Sequence, residues 1–416
     1  MINITSNEKN ILRELASQYA KIATEARQQE IRKRMRNLND LKNVRPIVLM
    51  DEIPWHELNI DDRLTCKCSD PLAVEMETYF RRALLQYDYF PCDRLYEYCY
   101  ILYKTILNDG GGIGEKAKIV KVDDDNYIVS HCYEDQLRDE DDIEKLGRPL
   151  LRVDTALDAE RKSAAEEVLA GILPVRLQGI WNSFAPWDMI PRLHGGVTTV
   201  FMDLMDRPDF MHAIMRRMTE NKQSAMEQYE ALGLLDAEQT IIHCTPALCS
   251  DIPSADDTGG NYRLKDIWMR STAQMFSDVS PQLHKEFEFD YQFPLFEKCG
   301  LVYYGCCEAL HNKIDLLKVV PNLRKVGVSP WADVRSCAEQ LGKDYVLSLK
   351  PNPAAVAIKT EPDVVRAELS IALEAIRDND CRADIVLKDT STAGYDINNL
   401  KLWNDTVLET LDAFGY

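Results

Sequence analysis

The feature that most constrains this chain is a repeated alternation. Short apolar runs, several of them ending in a polar or acidic residue, are separated by segments of helical periodicity. The runs are Pro46–Met50, Pro174–Trp181, Thr240–Cys244, Gln274–Asp278, Leu301–Cys307, Leu323–Ser329, Tyr345–Lys350 and Ile385–Asp389, with helix-compatible stretches such as Pro208–Leu232 and Pro281–Cys299 among them. Parallel strands require a long crossover, usually a helix, so this pattern predicts successive βα units. Eight such units close into a TIM-type (β/α)8 barrel, in which catalytic groups sit at the carboxyl ends of the strands. An open doubly wound sheet gives the same alternation, but no Gly-rich dinucleotide turn follows any of the runs.

The barrel rule turns strand ends into candidate site residues. It points to Asp51 and Glu52, Asn182, His243 and Cys244, Asp278, Cys306 to Glu308, Ser329, Lys350 with Asn352, and Lys388 with Asp389. Ahead of the first run, Glu8 to Leu41 is rich in Ala, Arg, Glu and Gln and lacks Gly and Pro, which predicts one long polar helix in an extension over residues 1–45. The barrel then covers 46–416, with 53–173 as an inserted subdomain. Within it, Asp70 to Leu107 reads as helical, and Ala117–Val122 with Tyr127–His131 as a hairpin around Asp123 to Asn126. The Gly110-Gly-Gly112 stretch lacks the Lys-Ser/Thr of a phosphate loop and reads as a flexible turn.

Composition excludes some partners. The 416 residues carry a formal charge of −19, which disfavours nucleic acid because phosphate recognition needs a basic face. No stretch is long and apolar enough to span a bilayer, and the N-terminus lacks the pattern of a signal peptide, so a soluble cytoplasmic protein is expected. The 12 cysteines are spread over a long chain and are expected to be reduced thiols.

The stretch Leu173 to Asp188, followed by a helix opening near Asp206-Arg-Pro-Asp209, resembles the uroporphyrinogen decarboxylase superfamily. Ser280 to Phe287 leading into Leu301-Val-Tyr-Tyr-Gly-Cys-Cys-Glu308 is similar to its corrinoid-dependent methyltransferase branch. The resemblance implies a barrel from Pro46 onward and a methyl group moved between a small methylated compound and a corrinoid carried by a partner protein. It also implies a zinc ion and a homodimer. In that branch zinc is held by a His-x-Cys on the fifth strand and a later Cys. Tyr304 stands at the His position here, Cys306 at the Cys position, and Lys388-Asp389-Thr390 where the later Cys is expected. The decarboxylase branch places arginines after its first strand to hold substrate carboxylates, whereas this chain has Met50-Asp-Glu-Ile-Pro-Trp-His56. A carboxy-lyase is therefore the second reading, and a non-catalytic tetrapyrrole-binding barrel the third.

The residues themselves agree in part. Cys306, Cys307 and Glu308 offer soft and hard ligands to zinc at a strand end. Successive strand residues point to opposite faces, so both sulfurs reach one ion only beyond the strand or at a bulge, which Gly305 permits. The bland alternative packs one thiol under a helix. Lys350, Lys388 and Asp389 would hold a substrate anion or neutralise one another across the mouth. Asp51 and Glu52 are candidate general acids or bases. His243 and Cys244 are second-choice ligands, and Cys66-Lys-Cys68 lacks the second pair that a zinc ribbon needs.

Overall fold

The computed structural model describes residues 2–120 and 129–416 and, for residues 120, 255 and 256, the backbone alone. Its centre is a seven-stranded parallel sheet of β1 (Ile47–Met50), β2 (Asn182–Phe184), β3 (Trp268–Ser271), β4 (Leu301–Tyr304), β5 (Leu323–Val328), β6 (Val346–Leu349) and β7 (Arg382–Leu387). Neighbours run in the order β1-β7-β6-β5-β4-β3-β2. The strands alternate faces as the pleat requires. Val48, Met269, Val302, Tyr304, Val326, Leu347 and Ile385 pack outward in the core shared with the helices. Ile47, Leu49, Val346 and Val386 pack inward around Cys244, and Trp268, Leu301 and Tyr303 around Ile242.

The expected eighth strand is the main departure. Thr240–Cys244 does not enter the wall: Ile241–Ile242 pairs antiparallel with Thr245–Pro246, and this hairpin contacts inward residues of β1, β6 and β7 as well as of β3 and β4. The sheet thus curls round a hairpin tongue, and β1 and β2 are its two unpaired edges. The architecture is barrel-like without being a closed eight-stranded barrel. The physical reason lies in Thr245, whose hydroxyl donates to Asp384 at 2.9 Å and receives the Lys325 ammonium at 2.8 Å. Lys325 and Asp384, 2.9 Å apart and wholly buried, need such interior partners, and the tongue adds Thr245 and the Pro246 carbonyl to the Ser348 hydroxyl that β6 supplies.

Other expectations shift. Pro174–Trp181 is not wall: Val175–Gln178 pairs with Tyr100–Tyr103, and the wall strand follows as β2. Gln274 to Asp278 is not a strand but opens with a 3-10 turn, Gln274–Phe276, while the true strand is β3. The single N-terminal helix is two, α1 (Ser6–Ala23) and α2 (Ala26–Asn39), broken at Thr24 and Glu25. Helical structure after Asp70 is confined to α3 (Pro71–Tyr89), begun by the Asp70 carboxylate accepting the Leu72 and Ala73 amides and by Pro71 in the first turn. Ala117–Val120 does pair with Ser130–Tyr133, and Asp123 to Asn126 lies outside the described residues. α1, α3, Tyr100–Tyr103 and Val175–Gln178 share a second core with Thr155–Leu169. Among the described residues no helix is long and apolar enough to cross a membrane.

Candidate active site at the strand ends

The carboxyl ends of β4 and β7 and the tip of the tongue meet at one sulfur. Beyond β4 the chain turns at Gly305, whose φ of 105° suits glycine; a Cβ there would meet Leu310 Cδ1 at 2.8 Å. This turn lets Cys306 and Cys307 face the same way, with sulfurs 3.4 Å apart. Lys388, the inward residue past β7, places its ammonium 2.9 Å from Cys306 Sγ, 3.5 Å from Cys307 Sγ and 2.7 Å from Asp389 Oδ2. Cys307 donates to the same Asp389 oxygen at 2.7 Å. Glu52 accepts the Asp389 amide at 3.0 Å and lies 3.5 Å from the Lys388 ammonium.

His243 arrives from inside the barrel. His243 and Cys244 form the two-residue turn of the tongue with φ of 34° and 65°, the backbone of a type I′ hairpin that Asn and Gly usually occupy. Glu52 and Asp389 also have positive φ, at 52° and 54°. Strain of this kind costs about 1–3 kcal/mol per residue and clusters at functional sites. His243 Nε2 lies 3.2 Å from Cys306 Sγ and 2.7 Å from Arg270 Nη2. The guanidinium keeps its protons, so Nε2 spends its one lone pair on Arg270 and has no hydrogen to give the sulfur.

The electrostatics favour a thiolate at Cys306. Its pKa falls well below the ordinary thiol range because Cys307, 3.4 Å away, shares its one proton between Cys306 and Asp389, and because Lys388 lies beside it. Cys307 is pushed up, since its one proton is held between Cys306 and Asp389 and burial disfavours a second charge. Burial opposes the Lys388 ammonium, yet the two sulfurs, Glu52 and Asp389 outweigh it and its pKa rises. Burial likewise opposes the Asp389 carboxylate, and Lys388 still brings it down to about 2. Desolvation raises Glu52.

The structure brings some expected residues together and separates others. Asp51, Glu52, Cys306, Cys307, Lys388 and Asp389 share the mouth, and Asp51, Glu52 and Asp389 line a cavity of about 810 Å³ with Trp55, Tyr79, Arg82 and Arg94. Lys350 lies below, 2.9 Å from Ser348 Oγ and 5.8 Å from the Tyr303 ring centre. Glu308 does not join the sulfurs. Its carboxylate accepts the Thr272 hydroxyl and the Ala273 and Cys306 amides, holding the Gly305 turn in place. Tyr304 faces the helices, where its hydroxyl meets His284 Nε2 at 2.8 Å. Asn182 also faces outward, donating to Cys299 Sγ at 3.6 Å. Arg270 was not foreseen; its one sequence signal is a charge inside the run Ile267-Trp-Met-Arg-Ser271.

The donors at the mouth suit a metal. One ligand atom from each of Cys306, Cys307 and Asp389 lies within 4.8 Å of the others, and a second such group is Glu52, His243 and Cys244. Zinc bonds of about 2.0–2.3 Å place tetrahedral ligands about 3.5 Å apart, close to the 3.4 Å between the sulfurs and the 3.2 Å from Cys306 to His243 Nε2. The Lys388 ammonium bonds the same donors, so a metal ion would take its place.

No known protein-family profile matches the chain, and no curated protein matches it. Among solved structures, a methyltransferase from Methanosarcina mazei is similar, with a TM-score of 0.47 and 11% sequence identity over 93% of this chain and 99% of that one. The chemistry of the mouth is therefore read from its own side chains.

Proposed function

We propose that the chain is an enzyme of methyl transfer, moving a methyl group between a small methylated compound and a corrinoid on a partner protein. The observation that carries this reading is the convergence of the Cys306 sulfur with Cys307, Asp389 and His243 at the strand ends, beside an open cavity. Cys306, Cys307 and Asp389 would hold zinc, with His243 as the adjoining nitrogen donor. A bound metal would supply Lewis-acid polarisation of the heteroatom that leaves the methyl group.

The chain's own residues do the rest. Without a metal, Lys388 stabilises the Cys306 thiolate and Cys307 keeps the proton that Asp389 accepts; ligation would release that proton and displace the ammonium. Arg270 fixes the ring of His243 by donating to its unprotonated Nε2, and a metal at that nitrogen would displace this bond. Glu52, whose carboxyl is raised by burial, is placed to give or take a proton at the cavity wall. The purified protein, with a Co(I) corrinoid and a panel of methylated amines and aryl methyl ethers, is expected to form methylcobalamin, and Cys306→Ser to abolish both this and stoichiometric zinc. Absence of zinc and of any spectral change across the panel would overturn the reading. A carboxy-lyase is then the reading to pursue, favoured by the buried lysines Lys350 and Lys388 at the strand ends.

A further inference from the structure

The mouth cavity has walls of different origin and opposite charge. The strand ends contribute Asp51, Glu52 and Asp389, while Arg82 comes from α3 and Arg94 from the segment after it. Glu75, also on the wall, is paired with Arg161 at 2.9 Å. Arg94 is fixed in place: it donates to Gln86 Oε1 at 2.7 Å and lies 5.6 Å from the Tyr96 ring centre. Gln86, itself buried, reaches back to the Met50 carbonyl at 3.5 Å and so ties Arg94 to the end of β1.

Asp51 follows directly on that strand, accepting the Glu52 amide at 2.9 Å. Neither Asp51 nor Arg94 takes part in any ion pair among the described residues. An anchored cation and an anchored anion thus share one cavity without neutralising each other. Such an arrangement favours a ligand that carries both charges. Trp55 and Tyr79 lie in the same lining; the Trp55 ring already carries the Arg82 guanidinium 5.4 Å from its centre, which leaves Tyr79 as the ring beside a methylated cation.

We propose that this cavity binds a small zwitterion of the N-methylated amino acid class, its carboxylate on Arg94 and its methylammonium end against Asp51 and Glu52. The bipolar recognition rests on the charges alone, and the N-methyl group rests on the methyl-transfer reading above. That orientation directs the methylated end toward Asp389 and the Cys306 cluster, since Glu52 accepts the Asp389 amide.

Calorimetric titration of the unaltered protein with trimethylglycine, tert-butylacetate and tetramethylammonium tests this without any substitution. The first carries both charges; the other two keep one each at similar bulk. Trimethylglycine is expected to bind at least about tenfold more tightly than either single-charge analogue, as a lost charged hydrogen bond implies. Arg94→Gln is expected to remove that preference while thermal unfolding stays cooperative. Equal binding of a single-charge analogue, or no binding of trimethylglycine, overturns the proposal. Trimethylglycine bound in this pattern but yielding no methylcobalamin leaves the zwitterion site standing and removes methyl transfer. Methylcobalamin formed from a neutral methyl ether, indifferent to Arg94→Gln, does the reverse.

Discussion

Two storeys of the same barrel interior use similar residues to opposite ends. In the lower one, Lys325, Asp384, Ser348 and Thr245 form a closed set in which Asp384 accepts from the lysine and both hydroxyls, and each of these residues is fully buried. The upper one lies two residues further along β6 and four along β7 from Ser348 and Asp384, at Lys350 and Lys388, and Lys388 bonds Asp389 on the wall of an open cavity. There the lysine partner is a sulfur, the backbone is strained, and acids outnumber the partners that would neutralise them. A buried charge with all its bonds made is inert and holds strands together. The same charge beside a polarisable thiolate and a solvent-filled space is poised for chemistry.

The sharpest way to break this contrast is to unbalance the lower storey. Asp384→Ala takes from buried Lys325 its ion-pair partner and is expected to cost about 3–5 kcal/mol in denaturant unfolding, while a loss under about 1 kcal/mol would show that the pair is dispensable. Burial already brings the Lys325 ammonium down to about 8, with Asp384 opposing the shift, so removing the carboxylate favours its neutral form.

Gly305→Ala should fall next, at more than about 1 kcal/mol, because the added Cβ meets Leu310 and Gly327 in a left-handed backbone. The substitution should also reduce thiolate absorbance, since the turn that presents Cys306 is displaced. Lys388→Met leaves the strand intact and tests the upper storey alone. It is expected to diminish, by up to about one thiolate per molecule, the ultraviolet signal that Cys306→Ser also removes at neutral pH. An unchanged signal would mean that the Lys388 ammonium is not what holds the Cys306 thiolate.

The smallest effect lies outside the barrel and serves as its control. Glu8 accepts the Ser69, Thr5 and Asp70 amides, which hold its carboxyl down from 4.5 to about 2. A lowered folded-state pKa contributes stability in full above about 4.5 that is lost as pH falls through about 2. The Tm difference between the unaltered protein and Glu8→Gln is therefore expected to be constant at neutral pH and to close across that acid window, with thiolate absorbance unaffected.

How much of this was legible follows from how local each signal is. β4 to β7 are short runs buried on both faces, and their apolar composition marks them. β3 escaped because Arg270 interrupts its run, and a buried arginine makes sense only once His243 is beside it. The break between α1 and α2 has neither Gly nor Pro to announce it. At the site, strand position was enough to point to Cys306, Cys307, Lys388 and Asp389. It could not tell that Glu308 is spent on backbone amides, because that depends on Thr272 and Ala273, some 36 residues away in sequence. Nor could it give the facing of Tyr304 and Asn182, which is fixed by where each strand starts.

The tongue of residues 241–246 has a consequence for how such a protein changes over time. A partner of the reactive sulfur is delivered by a short hairpin held within the wall, not by the wall itself. Replacing those few residues would exchange His243 for another group while the seven strands and their pairing stay as they are. The interior is in that sense a cartridge, and new chemistries are reached by swapping it rather than by rebuilding the barrel.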